Sequence, residues 1–209
     1  MARLFLAAGV ALGLAAGPAV ALQQGEVPGK EDVSRVKAGT YKVDPAHTQI
    51  MFEVDHLGFS VYYGLIGDAT GTLVLDPANP SAAKVDIEIP MSGITTTSAK
   101  LTEHLKNADF FDVAKFPTAR FVSTSVQVDG TDAKISGNLT IKGVTRPVVL
   151  DAEFTGAGLN AMVGAETVGF EAETMIRRSD FGINYGIPMV GDEVALNITV
   201  AFEKPVPKK

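Results

Sequence analysis

The chain has 209 residues, of which 46% are hydrophobic and 20% are charged, so it can bury one substantial core. Its 18 basic and 24 acidic residues give a net charge of −6. This sign excludes a broad nucleic-acid-binding surface, which needs a basic footprint. The sequence has no cysteine, which excludes disulfides, thiolate nucleophiles and thiolate metal sites.

The chain opens with a segment typical of an export signal. Arg3 is followed by an apolar run over residues 4–14, and a small-x-small cleavage pattern ends at Ala21. The apolar run is short for a bilayer span, which favours cleavage after Ala21 over a membrane anchor. We therefore expect residues 1–21 to be a signal peptide and the mature chain to contain no transmembrane segment.

The next segments differ in their periodicity. Residues 22–38 are polar with no strong period, and they are predicted to form a leader. Residues 39–204 alternate between apolar and polar positions, which is typical of antiparallel strands with one dry face. In residues 193–202, for example, every even position is a large apolar side chain. Residues 205–209 form a short tail. The pattern predicts one all-β domain of about eight strands.

Turns and a single helix interrupt this alternation. Clusters of Gly and Asp predict turns that include residues 129–132 and 156–158. One short helix is predicted at residues 98–106, with Thr97 or Ser98 as its N-cap. This helix lies between two strand regions, so we expect it to cover a rim or an edge of the sheet.

The dry face of the sheet has two possible destinations. It can pack against a second sheet as a solid sandwich, or it can line the inside of a barrel, which at eight strands is wide enough for one small ligand. Small residues on the inward face, namely Gly137, Ala152 and Ala172, favour a cavity. The periodicity alone leaves both arrangements open.

Histidine and arginine supply the candidate polar sites. His56 shares its parity with Phe52 and Val54, so it is predicted to point inward, where an imidazole needs a structural partner or a polar group of a ligand. Arg178 faces the dry side near a strand end, where its permanent charge needs either Asp180 or a ligand head group.

The remaining histidines and one glycine-rich segment do not predict a metal or cofactor site. His47 is predicted to lie in a turn with a local hydrogen-bond partner, and His104 at the surface or rim of the helix. The three histidines lack the spacing of helical metal ligands, so no metal and no cofactor are predicted. Residues 156–161 match GxGxxA, but no helix can follow to receive a pyrophosphate, and the segment is interpreted as a loop.

Six motifs together resemble the YceI-like family of polyisoprenoid-binding, lipocalin-like proteins. They are DPAHT (44–48), FEVDHLG (52–58), TEHLKNADFFD (102–112), FPTARF (116–121), GNLTIKGVTRPV (137–148) and RSDFGI (178–183). The resemblance implies an extended, up-and-down antiparallel β-barrel in the periplasm. It also implies that the lumen holds a long-chain isoprenoid lipid, of the quinone or polyprenyl phosphate type, or a similar amphiphile.

On this basis we expect binding and not catalysis. The polar contacts would be His56 and Arg178, and the lumen wall would consist of Phe52, Val54, Leu57, Phe59, Phe110, Phe121, Leu139, Phe170 and Phe181. Two alternatives stay open. One is an enzyme that acts on such a lipid with His56 as acid or base. The other is a ligand-free structural or partner-binding domain. The sequence also leaves open whether the chain forms a homodimer.

Overall fold

The computed structural model describes residues 27–206. The predicted signal peptide, the first part of the leader and the last three residues of the tail lie outside the described residues. The elements in chain order are β1 (Gly39–Val43), β2 (Gln49–His56), β3 (Ser60–Ile66), β4 (Thr70–Leu75), β5 (Lys84–Pro90), β6 (Ile94–Thr95), α1 (Ala99–Lys106), β7 (Thr118–Asp129), β8 (Asp132–Ile141), β9 (Val144–Asn160), β10 (Ala165–Arg177) and β11 (Val190–Pro205).

These strands form one closed antiparallel sheet. On one side of β11, the first part of the strand pairs with β2 and the last part with β1. Next to them, β2 pairs with β3, and β3 pairs with β6. Likewise β1 pairs with β4, and β4 pairs with β5. Each of the pairs β1 with β2, β3 with β4 and β5 with β6 therefore forms one long strand with an interruption. These three strands and the five strands β7–β11 make an up-and-down barrel of eight. The predicted barrel is confirmed, and the sandwich is not formed.

The three interruptions bring buried side chains to the inner wall. They fall at residues 44–48, at residues 67–69 and at a 3-10 turn, Met91–Gly93. Thr48 and Ala69 within them are buried and line the interior. The breaks therefore interrupt three neighbouring strands while their buried residues still line the interior.

Alternation along the strands explains why one face is dry. Leu196 of β11 lies opposite Phe52 of β2, and Ile198 lies opposite Ile50, and all four side chains face the interior. Because side chains alternate between faces, a shift of one residue would expose this whole set. The apolar pattern therefore fixes the register as well as the strands.

Two inward glycines provide space for aromatic rings. A side chain at Gly137 would collide with the ring of Phe121, and one at Gly64 would collide with the ring of Phe52. The small inward residues of the sequence favour a cavity at Gly137. The structure shows instead that Phe121 occupies this space, whereas Ala152 and Ala172 do line a cavity.

Helix α1 packs at one end of the barrel, which we call the helix end. The Ser98 side chain caps it by accepting a hydrogen bond from the Leu101 amide at 3.3 Å, and Leu105 is buried beneath it. The predicted helix at residues 98–106 is therefore confirmed, with Ser98 as the N-cap. Across residues 27–206, no helix has the length and apolar character needed to cross a membrane.

The leader crosses the other end of the barrel, which we call the leader end. Lys30 exchanges backbone hydrogen bonds with Ala157 of β9 at 3.1 and 2.8 Å. A side chain at Gly158 would collide with the Pro28 carbonyl, and one at Gly156 would lie 3.2 Å from the Lys30 carbonyl oxygen. The prediction of a loop at residues 156–158 was therefore wrong. These glycines belong to β9 and let the leader lie against it.

Acidic side chains face one another on the outer surface of β9 and β10. Glu171 lies directly opposite Glu153, and Glu173 lies opposite Asp151. Asp151 also forms an ion pair with Lys134 of β8. We call the four acidic residues the acidic ladder. It keeps this face of the barrel strongly polar.

We expect Gly137→Ala to lower the free energy of unfolding by about 1–3 kcal/mol, because the Phe121 ring must move in a packed wall. Gly67→Ala is the matched control, because a Cβ there meets no atom within 4 Å. Its effect should stay within about 0.5 kcal/mol. Urea unfolding of both variants measures the difference, and equal effects would contradict this account of Gly137.

Candidate functional site

A cavity of about 1100 Å³ follows the interior of the barrel. Its lining includes Val33 and Pro77 at the leader end and His104 and Tyr185 at the helix end, so it extends along the barrel. Its wall consists mainly of the apolar side chains that alternate along the strands. The volume slightly exceeds the range of about 300–1000 Å³ that is typical of small-molecule pockets.

Most of the residues predicted for the lumen contribute to this wall. Phe121 and Phe181 are buried, and the ring of Phe170 packs edge-on against its neighbour Phe154 at 5.7 Å between centroids. The predicted residues that line the cavity are Phe52, Val54, His56, Phe110, Phe121, Leu139, Phe170, Arg178 and Phe181. Periodicity and family resemblance together thus located the wall.

Leu57 and Phe59 do not line the cavity, so this part of the prediction was wrong. They lie in the turn between β2 and β3, where Leu57 has φ of 61° and Gly58 has φ of 67°. These left-handed conformations end the alternation of the strand. Phe59 is consequently 90% exposed.

A cluster of rings stands at the helix end of the cavity. The His104 imidazole of α1 lies 4.9 Å from the Phe110 ring and 5.0 Å from the Tyr185 ring, measured between centroids. Its Nε2 is 3.0 Å from Oδ2 of Asp109. His104 therefore lies at the rim, as expected, with a polar ring edge available beside an apolar lumen.

The other two histidines differ in their surroundings. His56 ends β2 and lines the cavity, as its parity predicted, but it is exposed at the rim and not enclosed at depth. His47 lies outside the cavity in the break after β1, where its Nδ1 is 2.6 Å from Oδ2 of Asp44. This is the local partner that the sequence predicted.

Arg178 holds a loop in place through its guanidinium group. The side chain is only 7% exposed. Its Nε donates to the Gly191 carbonyl at 2.7 Å, and Nη2 donates to the Val190 carbonyl at 2.8 Å. Its Nη1 donates to the carbonyls of Ile183 and Tyr185 at 3.0 and 2.8 Å. Backbone carbonyls thus take the place of Asp180, the partner that sequence reasoning considered.

Asp192 fixes the start of the same loop. Its two carboxylate oxygens accept hydrogen bonds from the Ser179 amide at 2.9 Å and the Ser179 hydroxyl at 2.7 Å. Desolvation raises the pKa of Asp192, but these two bonds and the charges of Arg178 and Arg177 outweigh it and hold the pKa below its ordinary value. For Arg178, burial lowers the pKa and the charge of Asp192 opposes that change.

Thr48 is a polar feature of the wall that sequence reasoning missed. It lies in the break between β1 and β2, is buried, and lines the cavity. Its hydroxyl has no hydrogen-bond partner among the described residues. The only sequence signal was a hydroxyl residue at an inward position directly before the apolar positions of β2. An unpaired hydroxyl there can bind a polar group deep inside the barrel.

The described residues contain no group of three or more metal-ligating side chains in an arrangement that could hold a metal ion. His47 is turned towards Asp44, while His56 and His104 line the cavity. The chemistry available at the site is therefore apolar contact together with polar groups at the helix end, at Thr48, and at Ser34, Thr131 and Asp132 of the leader end.

An up-and-down barrel of eight strands around one long apolar cavity defines a lipocalin-like β-barrel protein. Residues 41–202 match the YceI-like domain. The chain therefore belongs to the YceI-like family, as the six sequence motifs predicted.

Relatives of this chain span nearly the same unit. Protein YceI of Salmonella arizonae is 42% identical over 165 residues, which cover 78% of this chain and 86% of that protein. The crystal structure of BcnA from Burkholderia cenocepacia has a TM-score of 0.68 at 22% identity, covering 76% of this chain and 98% of that chain. A domain from Saccharophagus degradans, described as polyisoprenoid-binding, has a TM-score of 0.62 at 14% identity, covering 81% of this chain and 100% of that chain.

We expect Arg178→Lys to lower the free energy of unfolding by about 2–3 kcal/mol, because an ammonium group cannot replace the guanidinium fork and leaves buried carbonyls unpaired. The neighbouring Arg177 is exposed and lies 3.6 Å from Glu193, so Arg177→Lys should cost less than about 0.5 kcal/mol. Urea unfolding compares the two. Similar losses would show that the carbonyl contacts of Arg178 contribute little.

We expect Asp192→Asn to make the stability of the fold less dependent on pH in the acidic range. Because the pKa of Asp192 is lowered in the folded state, its contribution is fully present above about pH 4 and is lost as the pH falls through the lowered value. The fall in Tm from pH 7 to pH 3 should therefore be smaller in Asp192→Asn than in the wild type. Asp180→Asn, at an exposed position in the same turn, should leave the wild-type fall unchanged.

Proposed function

We propose that this protein binds a long-chain isoprenoid lipid, of the quinone or polyprenyl phosphate type, or a similar amphiphile inside its barrel and carries it in the periplasm. The observation that carries the proposal is the continuous apolar cavity of about 1100 Å³. A barrel that served only as a scaffold would gain stability by filling this space.

Transfer energies favour an extended apolar tail in this cavity. Each methylene-sized group gains roughly 0.8 kcal/mol on leaving water, so one C5 isoprene unit gains about 3–4 kcal/mol before costs. Ordering of the chain opposes part of this gain. A chain of several units is insoluble by the same arithmetic, and an aqueous compartment can be crossed only with the tail shielded.

The polar groups of the wall give the ligand an orientation. His56, Tyr62, His104 and Tyr185 line the helix end, where a head group can meet both side chains and water. Arg178 donates four of its five N–H groups to carbonyls, which leaves one for a ligand. We infer that the head group lies at the helix end and that the tail runs towards the leader end.

The family supports this assignment, and the expected signal peptide supports the compartment. The Saccharophagus degradans domain is described as polyisoprenoid-binding and shares the barrel fold. A signal peptide at residues 1–21 would deliver the mature chain to the periplasm, where a carrier between membranes is needed.

We infer binding and not catalysis from the surroundings of His56. Among residues 27–206, no hydrogen bond or ion pair joins His56 to a carboxylate that would orient it as a general base. In this proposal His56→Ala changes the affinity for the lipid and leaves its chemical structure untouched. Conversion of an isoprenoid substrate by the wild type, lost in His56→Ala, would contradict it.

We expect lipid extracted from the purified wild type to contain a long-chain amphiphile, which mass spectrometry of the extract would identify. Ala172→Phe should weaken binding of a fluorescent farnesyl derivative by about tenfold or more, because the ring occupies the space of at least two methylene groups. Ala172 lines the cavity directly opposite Ala152, so the added ring projects into the lumen.

Ala195→Phe is the matched control, because Ala195 alternates with the cavity-lining Val194 and Leu196 and faces outward on β11. It should leave the affinity unchanged, and fluorescence titration measures both variants. Repeated absence of any amphiphile in the extract, together with equal affinities of the two variants, would overturn the proposed function.

A further inference from the structure

Exposed apolar side chains cluster at the helix end, around the turn between β2 and β3. We call this cluster the apolar rim and define it as Leu57, Phe59, Val61 and Met189. Phe59 at its tip is 90% exposed. Single exposed apolar residues are common, but several of them around one exposed turn are typical of an interaction site.

Hydrogen bonds hold the apolar rim in a fixed shape. The Leu57 amide donates to the Met189 carbonyl at 2.8 Å, which joins the two segments that form the rim. The Gly58 amide donates to Oδ1 of Asp55 at 2.8 Å, and the Phe59 amide donates to the His56 carbonyl at 3.1 Å. Phe59 is therefore presented to solvent by a preorganised turn, so little ordering is needed when it binds.

The apolar rim borders the opening of the cavity. His56 and Ser60 flank the turn on β2 and β3, and both line the cavity. Val190, which follows Met189, lines it as well. Whatever surface covers the rim therefore lies directly over the entrance to the barrel.

We propose that the apolar rim docks this protein on the surface of a lipid bilayer, with Phe59 inserted among the lipids and the cavity mouth facing the membrane. The inference rests on the proposed function and adds to it the place where lipid is exchanged. An isoprenoid tail that leaves a bilayer at this point enters the barrel without passing through water.

The charge of the protein selects the kind of bilayer. The helix end carries charges of both signs, with the acidic Asp55 beside the apolar rim and Lys100 and Lys106 on α1, and the chain has a net charge of −6. Attraction to anionic lipid requires clustered basic residues, whereas insertion of apolar side chains does not. Neutral phosphatidylcholine vesicles are therefore the probe that isolates insertion of the apolar rim from charge attraction.

Tryptophan substitution gives a direct test, because the chain has no tryptophan of its own. The test compares Phe59→Trp with Met162→Trp in the turn between β9 and β10. Met162 is 96% exposed, but it lies near the leader end and does not line the cavity. With phosphatidylcholine vesicles, emission of the tryptophan at position 59 should shift to shorter wavelength, while that at position 162 should stay at its value in water.

Charge substitution tests the energetic role of the same position. Phe59→Asp should weaken partitioning onto phosphatidylcholine vesicles by about tenfold or more, since the transfer of one aromatic side chain is lost. Met162→Asp should partition like the wild type in the same vesicle sedimentation assay. Phe59→Asp should also slow the uptake of a farnesyl probe from vesicles but keep the affinity for probe supplied in solution.

Three outcomes would overturn the docking proposal. The first is no spectral shift at position 59 with vesicles, and the second is an equal shift at position 162. The third is a shift at position 59 that occurs without vesicles when the protein concentration is raised. That result would show that the apolar rim contacts a second copy of the chain. Failure of the proposed function is distinguishable, because the wild type would then bind vesicles but not the farnesyl probe supplied in solution.

Discussion

The short ladder between β1 and β11 is the constraint on which the structure depends. Lys42 lies opposite Glu203, and Val43 lies opposite Phe202, which joins the first strand to the last. Closure leaves each strand with one face inside, and the alternation of side chains then makes that inside apolar. This ladder completes the pairing of β11 with β1 and β2, and without that whole pairing the same strands would form an open sheet with its apolar face in water.

Closure of the sheet alone would not keep the lumen free of side chains, nor would it fix the loop beside the mouth at the helix end. Phe52 and Phe121 turn their rings into spaces left by glycines, so large side chains lie along the wall and do not cross the lumen. At the helix end, Arg178 donates to four backbone carbonyls and so holds the loop beside the mouth, in addition to the packing of the buried Phe181 and Ile183. Buried polar bonds are well suited to this position, because they hold a loop without filling the space next to it.

A period of two assigns a face to every strand residue, so the alternation was sufficient to predict the strands and most of the cavity wall. It left a sandwich and a barrel both open, and the choice of the barrel came from the six motifs that resemble the YceI-like family. It failed where the backbone leaves the strand, as at Leu57 and Phe59, since parity carries no information about a turn with left-handed residues. It also failed where glycine serves contact between distant segments, as at Gly158 beneath the leader. The carbonyl partners of Arg178 were unpredictable, since backbone atoms have no sequence signature.

The acidic ladder on β9 and β10 has a consequence for the response of this protein to ionic strength. Like charges directly opposite each other on neighbouring strands repel, and this repulsion is present in the folded barrel and relieved on unfolding. Dissolved salt screens such repulsion over distances of about 10 Å at 0.1 M. Added salt therefore favours the folded barrel at Glu153 and Glu171, which face each other without a basic partner in the described part of the chain, whereas at the ion pair of Lys134 with Asp151 it weakens an attraction.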